Sequence, residues 1–375
     1  MENTGKTTRL MSIDALRGFD MFWILYPTYP VFHALLVALG LKGCWLDLQM
    51  DHLPWIGFTF YDTIYPLFLF LGGVSFPFSY ASARERGMSG RAIGWKIVRR
   101  MIVLVLLGST ISGSLRLDFE KLTLCSVIGR IGITCGIASF AYMLFGLRLR
   151  IAICAGILLL YWVLPFFTGC PGVPPGTLPY AEKTACVYVW LDTHFFPRPL
   201  FGAGFTGLFP MISTAMLGMF AGDWLRNGKE HGTFKVRGLL IGALGCTLLG
   251  VLMATAFGKW SAPVIKPIWS SSYAMVTAGY SLAMLALFYW IIDVRRWSGW
   301  SFAFRVIGMN SVFAYLASRT IIFPWQFTMT FLFGGIMARC PTPEWGAFVG
   351  QALYMVAYWL LLYLMYRKKI FLKAG

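Results

Sequence analysis

Runs of roughly 20 apolar residues, the length a helix needs to cross the hydrocarbon core of a bilayer, recur along this chain. They fall near residues 15–39, 59–82, 101–117, 124–146, 151–168, 205–224, 237–257, 271–293, 303–323 and 346–366. A shorter apolar piece from Phe327 to Ala338 reads as interfacial or re-entrant. The pattern predicts an all-α, polytopic integral membrane bundle of about ten transmembrane helices, forming one domain over residues 1–375. No polar stretch is long enough for a separate soluble domain.

Charge orients this bundle. The basic residues sit in short clusters between the apolar runs, such as Arg84 to Arg100 and Arg367 to Lys369. With the N-terminus inside, 22 lysines and arginines fall in inner loops and 8 in outer loops, while Arg130 and Arg319 lie within predicted spans. That asymmetry follows the positive-inside rule and places both termini in the cytoplasm. Composition agrees: 58% of the 375 residues are hydrophobic and 13% are charged, against roughly 25% charged in an ordinary soluble domain. The net charge of +17 forms no single stripe, so no nucleic-acid partner is expected and the lipid bilayer is.

The first apolar run carries Asp20 and no small-residue cleavage pattern follows it, so it is expected to remain as helix one. Of the eight cysteines, Cys44, Cys170, Cys186 and Cys340 fall in outer loops. Cys170 and Cys186 are candidates for a staple across the long loop near residues 169–204, with unpaired thiols as the alternative. Cys125, Cys135, Cys154 and Cys246 fall in spans and read as packing residues.

Ionisable groups inside spans are costly and mark a pathway or a site. They are Asp20, Asp62, Arg130 and Arg319, with Asp14 and Arg17 at the inner lip of helix one and polar Asn310 in mid-span. Arg319 reads as a pairing residue, whereas Asp14 and Arg130 point to function. His33 reads as packing, and His194 and His231 carry no partner motif. His52 differs: it lies in Asp51-His52-Leu53-Pro54-Trp55-Ile56-Gly57, just before a span whose first turns hold Tyr61 and Asp62. An imidazole beside carboxylates at the mouth of a bundle is suited to general base work, because it titrates near neutrality. No metal-ligand spacing, phosphate-cradling glycine loop or nucleophile elbow occurs. Gly72-Gly73 and Gly202-Ala203-Gly204 read as close packing or turns. The residues alone leave a membrane enzyme and a transporter both open.

Several strings, in order along the chain, resemble the heparan-alpha-glucosaminide N-acetyltransferase family of transmembrane acyltransferases. Arg9 to Gly18 is similar to its "R-x-x-S-[IV]-D-x-x-R-G" opening. His52 to Gly73 is similar to its "H-x-x-W-x-G-x-x-x-x-D-x-x-x-P-x-F-x-F-x-x-G" block, with His52, Trp55, Gly57, Asp62, Pro66 and Phe68 in place. Val127 to Gly132, Phe209 to Gly222, Lys266 to Ser270, Thr277 to Gly279 and Gly308 to Ser311 resemble later blocks. Beside the animal members the chain lacks the large luminal domain and first helix, so the resemblance implies a bacterial protein of the inner membrane. Thr28 stands where those members carry an asparagine near the active site, which bears on substrate identity more than on reaction type.

The resemblance implies transfer of an acetyl group from cytoplasmic acetyl-CoA, as co-substrate, to the amine of a glucosamine-type sugar on the outer side. His52 would act as base, Asp14 would orient it, and Asn310 would donate to the developing oxyanion. Arg17, Arg84, Arg86, Lys96, Arg99, Arg100 and Arg130 would hold the CoA phosphates, with topology and lipid contact as the alternative role. Trp55, Asp62, Lys266 and Trp269 would hold the acceptor. An acetyl-imidazole route and direct transfer both stay open, and a homodimer is carried as an expectation. The rival readings are a secondary sugar transporter, weakened by the lack of internal duplication, and an O-acetyltransferase of an envelope polysaccharide.

Overall fold

Residues with helix-capping chemistry stand at the starts of the apolar runs and decide where several helices begin. Ser89, Ser126, Ser270 and Thr342 each accept a hydrogen bond from the backbone N–H three residues on, which satisfies one of the four orphan donors of a first turn. The computed structural model describes residues 10–25, 28–112, 123–196, 204–227, 232–319 and 325–372. Its helices are α1 Met11–Ile24, α2 Thr28–Ala38, α3 Trp45–Gln49, α4 Phe60–Glu85, α5 Gly90–Ile111, α6 Val127–Leu144, α7 Leu147–Thr168 and α8 Val187–His194. They continue as α9 Leu208–Arg226, α10 Gly232–Thr255, α11 Ser271–Tyr289, α12 Phe302–Met309, α13 Ser311–Arg319, α14 Trp325–Met337 and α15 Pro343–Arg367. Among the described residues the sole strand-like pairing is a pair of isolated bridges from Ile56 and Gly57 to Ile265.

The bundle is all-α, and seven helices among the described residues are long and apolar enough to cross a membrane: α4, α6, α7, α9, α10, α11 extended to Val294, and α15. The other three expected spans take different forms. The run at 15–39 becomes two helices, α1 and α2, with residues 26–27 between them outside the described residues. The run at 101–117 starts earlier, at Gly90, so Arg91, Lys96, Arg99 and Arg100 lie on α5 rather than in a loop. The run at 303–323 breaks into α12 and α13 at Asn310, whose φ of −121° and ψ of 35° leave the helical region. The segment read as interfacial is α14, of 13 residues, packed against α15. Gly202, Ala203, His231, the side chain of Arg319 and the basic residues Lys6, Arg9, Arg116, Lys121, Arg198, Lys229 and Lys373 lie outside what the structure describes.

Helices α4, α9 and α11 form the buried centre, while α7, α10 and α15 turn most of their surface outward. The α4–α9 pair is held by small residues. A Cβ on Gly73 would lie 2.1 Å from the Ala215 carbonyl oxygen, and one on Gly218 would lie 2.1 Å from that of Phe70. Backbones approach this closely in a membrane because dispersion contacts, not water exclusion, drive helices together there. This packing fixes the angle at which α4 faces the interior.

Candidate active site

Along α4, Tyr61, Ile64, Tyr65, Phe68, Gly72 and Ser75 recur at helical spacing and line one side of a cavity of about 690 Å³. At ~1.5 Å per residue these positions span roughly 21 Å of its length. A second cavity of about 250 Å³ shares Gly72, Arg100, Leu104 and Ile131 with the first and follows α4 down to Ala83. Together they follow α4 for roughly 33 Å, comparable to the ~30 Å of a hydrocarbon core.

One end of the cavity is built by helix-capping chemistry. Thr59 caps α4, and Asp62 closes the capping box by accepting the Thr59 N–H at 3.1 Å through Oδ2. That leaves Oδ1 for other partners: His52 Nδ1 lies 2.6 Å from it and Lys266 Nζ donates to it at 2.7 Å. Tyr273 donates its hydroxyl proton to the Asp62 carbonyl at 2.6 Å. The carboxylate is fully buried, whereas His52 is half-exposed and lines the cavity. Lys266 arrives on a turn in which Trp269 N–H donates to the Lys266 carbonyl at 2.9 Å. Gly57 N–H donates to the Val264 carbonyl at 2.7 Å, which ties that turn to the His52 loop. Burial lowers the Lys266 ammonium below its ordinary value, and the Asp62 carboxylate opposes that shift.

Arg130 and Trp269 also line the cavity. Trp269 sits edge-on to Tyr65 at 5.0 Å, and Tyr65 donates its hydroxyl to the Val127 carbonyl at 3.4 Å. Arg130, one turn further along α6, therefore stands on the His52 side, apart from the Arg84–Arg100 cluster with which it was grouped. Its guanidinium lies flat against Gly204, where φ is +113° and an added Cβ would fall 2.7 Å from Nη2. Asp192 holds this turn by accepting Thr206 N–H at 2.9 Å and Thr206 Oγ1–H at 3.1 Å. Burial raises the Asp192 carboxyl, and those donors together with the Arg130 charge counter it. Gly204→Ala combines a left-handed backbone with a clash on Arg130, so we expect a loss of about 1–3 kcal/mol, measurable as a lowered unfolding midpoint. A midpoint equal to wild type would mean that the guanidinium does not rest there.

The opposite end is basic. Arg17 and Arg100 line the first cavity, and Arg86, Lys96 and Arg100 line the second. Arg17 donates to Ser75 Oγ at 2.6 Å and pairs with Asp14 at 3.4 Å. Arg84, which donates to the Met88 carbonyl, and Arg99 line neither cavity.

Several expected roles shift. Asp62, rather than Asp14, orients His52, since Asp14 stands beside Arg17 at the basic end. Asn310 is fully buried and its amide is occupied: Nδ2 donates to the Ile370 carbonyl at 3.0 Å, and Oδ1 accepts Leu372 N–H at 3.2 Å. It anchors the chain after α15, so that Leu372 lines the basic end of the cavity. Trp55 donates to the Tyr180 carbonyl at 3.0 Å and packs outside the cavity. All eight cysteines are free thiols, and Cys170 Sγ lies 3.6 Å from the Thr184 carbonyl. Sequence reasoning missed Asp192, which stands in the long segment near residues 169–204 with no motif of its own, and read Gly204 only as part of a turn or close packing.

Fold and site together define a multi-pass membrane protein whose cavity, charged at both ends, follows the length of its central helix. A family model described as "Heparan-alpha-glucosaminide N-acetyltransferase, catalytic" matches residues 9–250. The chain belongs to that family. It is also similar to heparan-alpha-glucosaminide N-acetyltransferase of Homo sapiens, 26% identical over 97% of this chain. The protein of that name from Mus musculus is 25% identical, also over 97% of the chain. The chain spans 60% of the length of each of these relatives. His52, Asp62 and Arg100 lie inside the matched family segment, and Lys266 and Trp269 lie beyond it.

Proposed function

We propose that this protein transfers an acetyl group from acetyl-CoA to the amine of a glucosamine-type sugar. The nucleotide enters from the cytoplasm and the sugar from the outer side. The observation that carries this reading is one cavity system with an imidazole–carboxylate–ammonium cluster at one end and three arginines and a lysine at the other. Arg17, Arg86, Lys96 and Arg100 suit the phosphates of CoA through charge-assisted hydrogen bonds. The largely apolar stretch between the two ends, lined by Phe68, Gly72, Leu104 and Ile131, suits a pantetheine arm threaded toward His52.

The chemistry follows from the cluster. With Nδ1 hydrogen-bonded to Asp62, the remaining imidazole nitrogen takes a proton from the acceptor nitrogen. The freed lone pair attacks the thioester carbonyl carbon, the C–N bond forms, the C–S bond breaks, and CoA leaves as a thiolate that recovers a proton. Arg130, at the same end, offers a fixed cation to the oxyanion that develops on that carbonyl. Transfer is direct in this reading; isolation of acetyl-His52 after exposure to acetyl-CoA alone would replace it with a two-step route.

Thiol release is the test. Purified protein with acetyl-CoA and glucosamine should liberate free CoA in step with N-acetylglucosamine. Glucosamine movement across vesicles without thiol release favours a transporter, and equal turnover of an amine-free glycan favours O-acylation. Removing one charge-assisted contact costs about 1.5–3 kcal/mol, so Arg100→Ala should weaken CoA binding about 10- to 100-fold in a competition titration. Unchanged affinity would move the phosphates elsewhere.

A further inference from the structure

His52, Asp62 and Lys266 form a three-way contact whose proton arrangement is constrained. Asp62 Oδ1 receives both His52 Nδ1 at 2.6 Å and Lys266 Nζ at 2.7 Å, and the same Nζ stands 2.9 Å from Nδ1 and 3.3 Å from Nε2. Nδ1 has one in-plane position for a proton or a lone pair. Since the carboxylate oxygen only accepts, the 2.6 Å contact places a proton on Nδ1 and the lone pair on Nε2, the nitrogen that Lys266 Nζ approaches to 3.3 Å.

A carboxylate alone in hydrogen-bond contact would favour the imidazolium and fill that lone pair. An ammonium beside the ring does the reverse, because protonation would set two cations within van der Waals contact. We propose that Lys266 is a positioning residue whose ammonium, held between Asp62 and the ring, opposes the pull of that carboxylate toward the imidazolium and holds the His52 proton on Nδ1. The two loops that carry His52 and Lys266 are joined at Gly57 and Val264, which holds their backbones side by side.

Other charged and titratable groups face His52 from each side. Asp51 accepts the His52 backbone N–H at 2.7 Å, and the Tyr61 ring lies 5.1 Å from the imidazole. Arg17, Tyr65, Arg100, Arg130 and Tyr315 line the same cavity, and Lys266 contacts the ring itself.

The catalytic meaning of this inference rests on the acetyl-transfer reading, but its physical content is testable without turnover. Diethyl pyrocarbonate acylates neutral imidazole, so the rate of modification at His52, read by peptide mass spectrometry across pH, reports its protonation. Lys266→Gln removes the charge and keeps a donor toward Asp62, whereas Lys266→Arg keeps the charge. The modification midpoint should move to higher pH by about one unit in Lys266→Gln, equal to a ~10-fold slower rate on the acid side. Lys266→Arg should track wild type. Lys266→Met supplies a second neutral variant should the glutamine protein fold poorly. Identical midpoints in wild type and a folded neutral variant, or a shift to lower pH, overturn the proposal. Absence of thiol release by wild type would instead sink the acetyl-transfer reading and leave the midpoint comparison intact. With turnover in hand, the acid limb of kcat/KM should move with the modification midpoint, which loss of a merely structural contact would not produce.

Discussion

His52→Ala should lower acetyl transfer by about 10²–10⁴-fold, the range general base catalysis supplies, with CoA affinity unchanged. The two effects separate because the imidazole and the basic residues lie at opposite ends of the cavity system, roughly 21 to 33 Å apart along α4. The fold should tolerate the change: Lys266 still donates to Asp62 at 2.7 Å, and Thr59 still closes the capping box. No buried charge is left without its partner, and His52 itself is half-exposed. Initial rates of thiol release, paired with a CoA competition titration and an unfolding midpoint, check all three points. Wild-type turnover by a folded His52→Ala protein would remove the imidazole from the chemistry.

Gly218→Val should have the largest effect on stability. An added Cβ would stand 2.1 Å from the Phe70 carbonyl oxygen, 3.0 Å from its carbon and 3.1 Å from Val74 N, all backbone atoms. Gly222 meets the Val74 carbonyl in the same way at 2.4 Å. Backbone cannot swing aside as a side chain can, so α4 and α9 must separate along their whole contact. Overpacking of this kind costs about 3 kcal/mol or more, and the separation would rotate the cavity-lining face of α4 away from α6. The expected result is little monodisperse protein in detergent, with a sharply lowered unfolding midpoint in what remains. A Gly218→Val protein as stable as wild type would show that the two helices do not touch there.

Much of the architecture was legible in residue order because hydropathy and capping act over short distances. The seven spans of the structure fall on seven of the apolar runs, and of the family resemblance read from Arg9 to Ser311, the blocks up to Gly222 fall within the matched segment 9–250 and the later ones beyond it. The ten-residue spacing of His52 and Asp62 was legible too, since one capped helix start brings them together. The misread features share a physical cause. Sequence topology already set Asp14 at the inner lip and His52 before the next span on the other side, so giving Asp14 the orienting role required an approach of the two that the structure does not make. Asn310 was read as a free donor because residue order does not show that the chain near Ile370 folds back onto it. Arg130 was grouped with the other arginines by charge, whereas the α6 start sets it beside Tyr65 and Trp269.

Amino-acid order by itself determined that this chain is a helical membrane protein, which apolar runs carry the spans, and that an imidazole and a carboxylate meet at one helix start. These are local properties, set by transfer free energy and by hydrogen bonds between near neighbours. Only the tertiary structure decided that Lys266, 214 residues from His52, completes the cluster, and that one cavity joins it to Arg17 and Arg100. Those placements depend on how closely α4 and α9 approach and on which face of each helix turns inward, and both are properties of packing between distant segments.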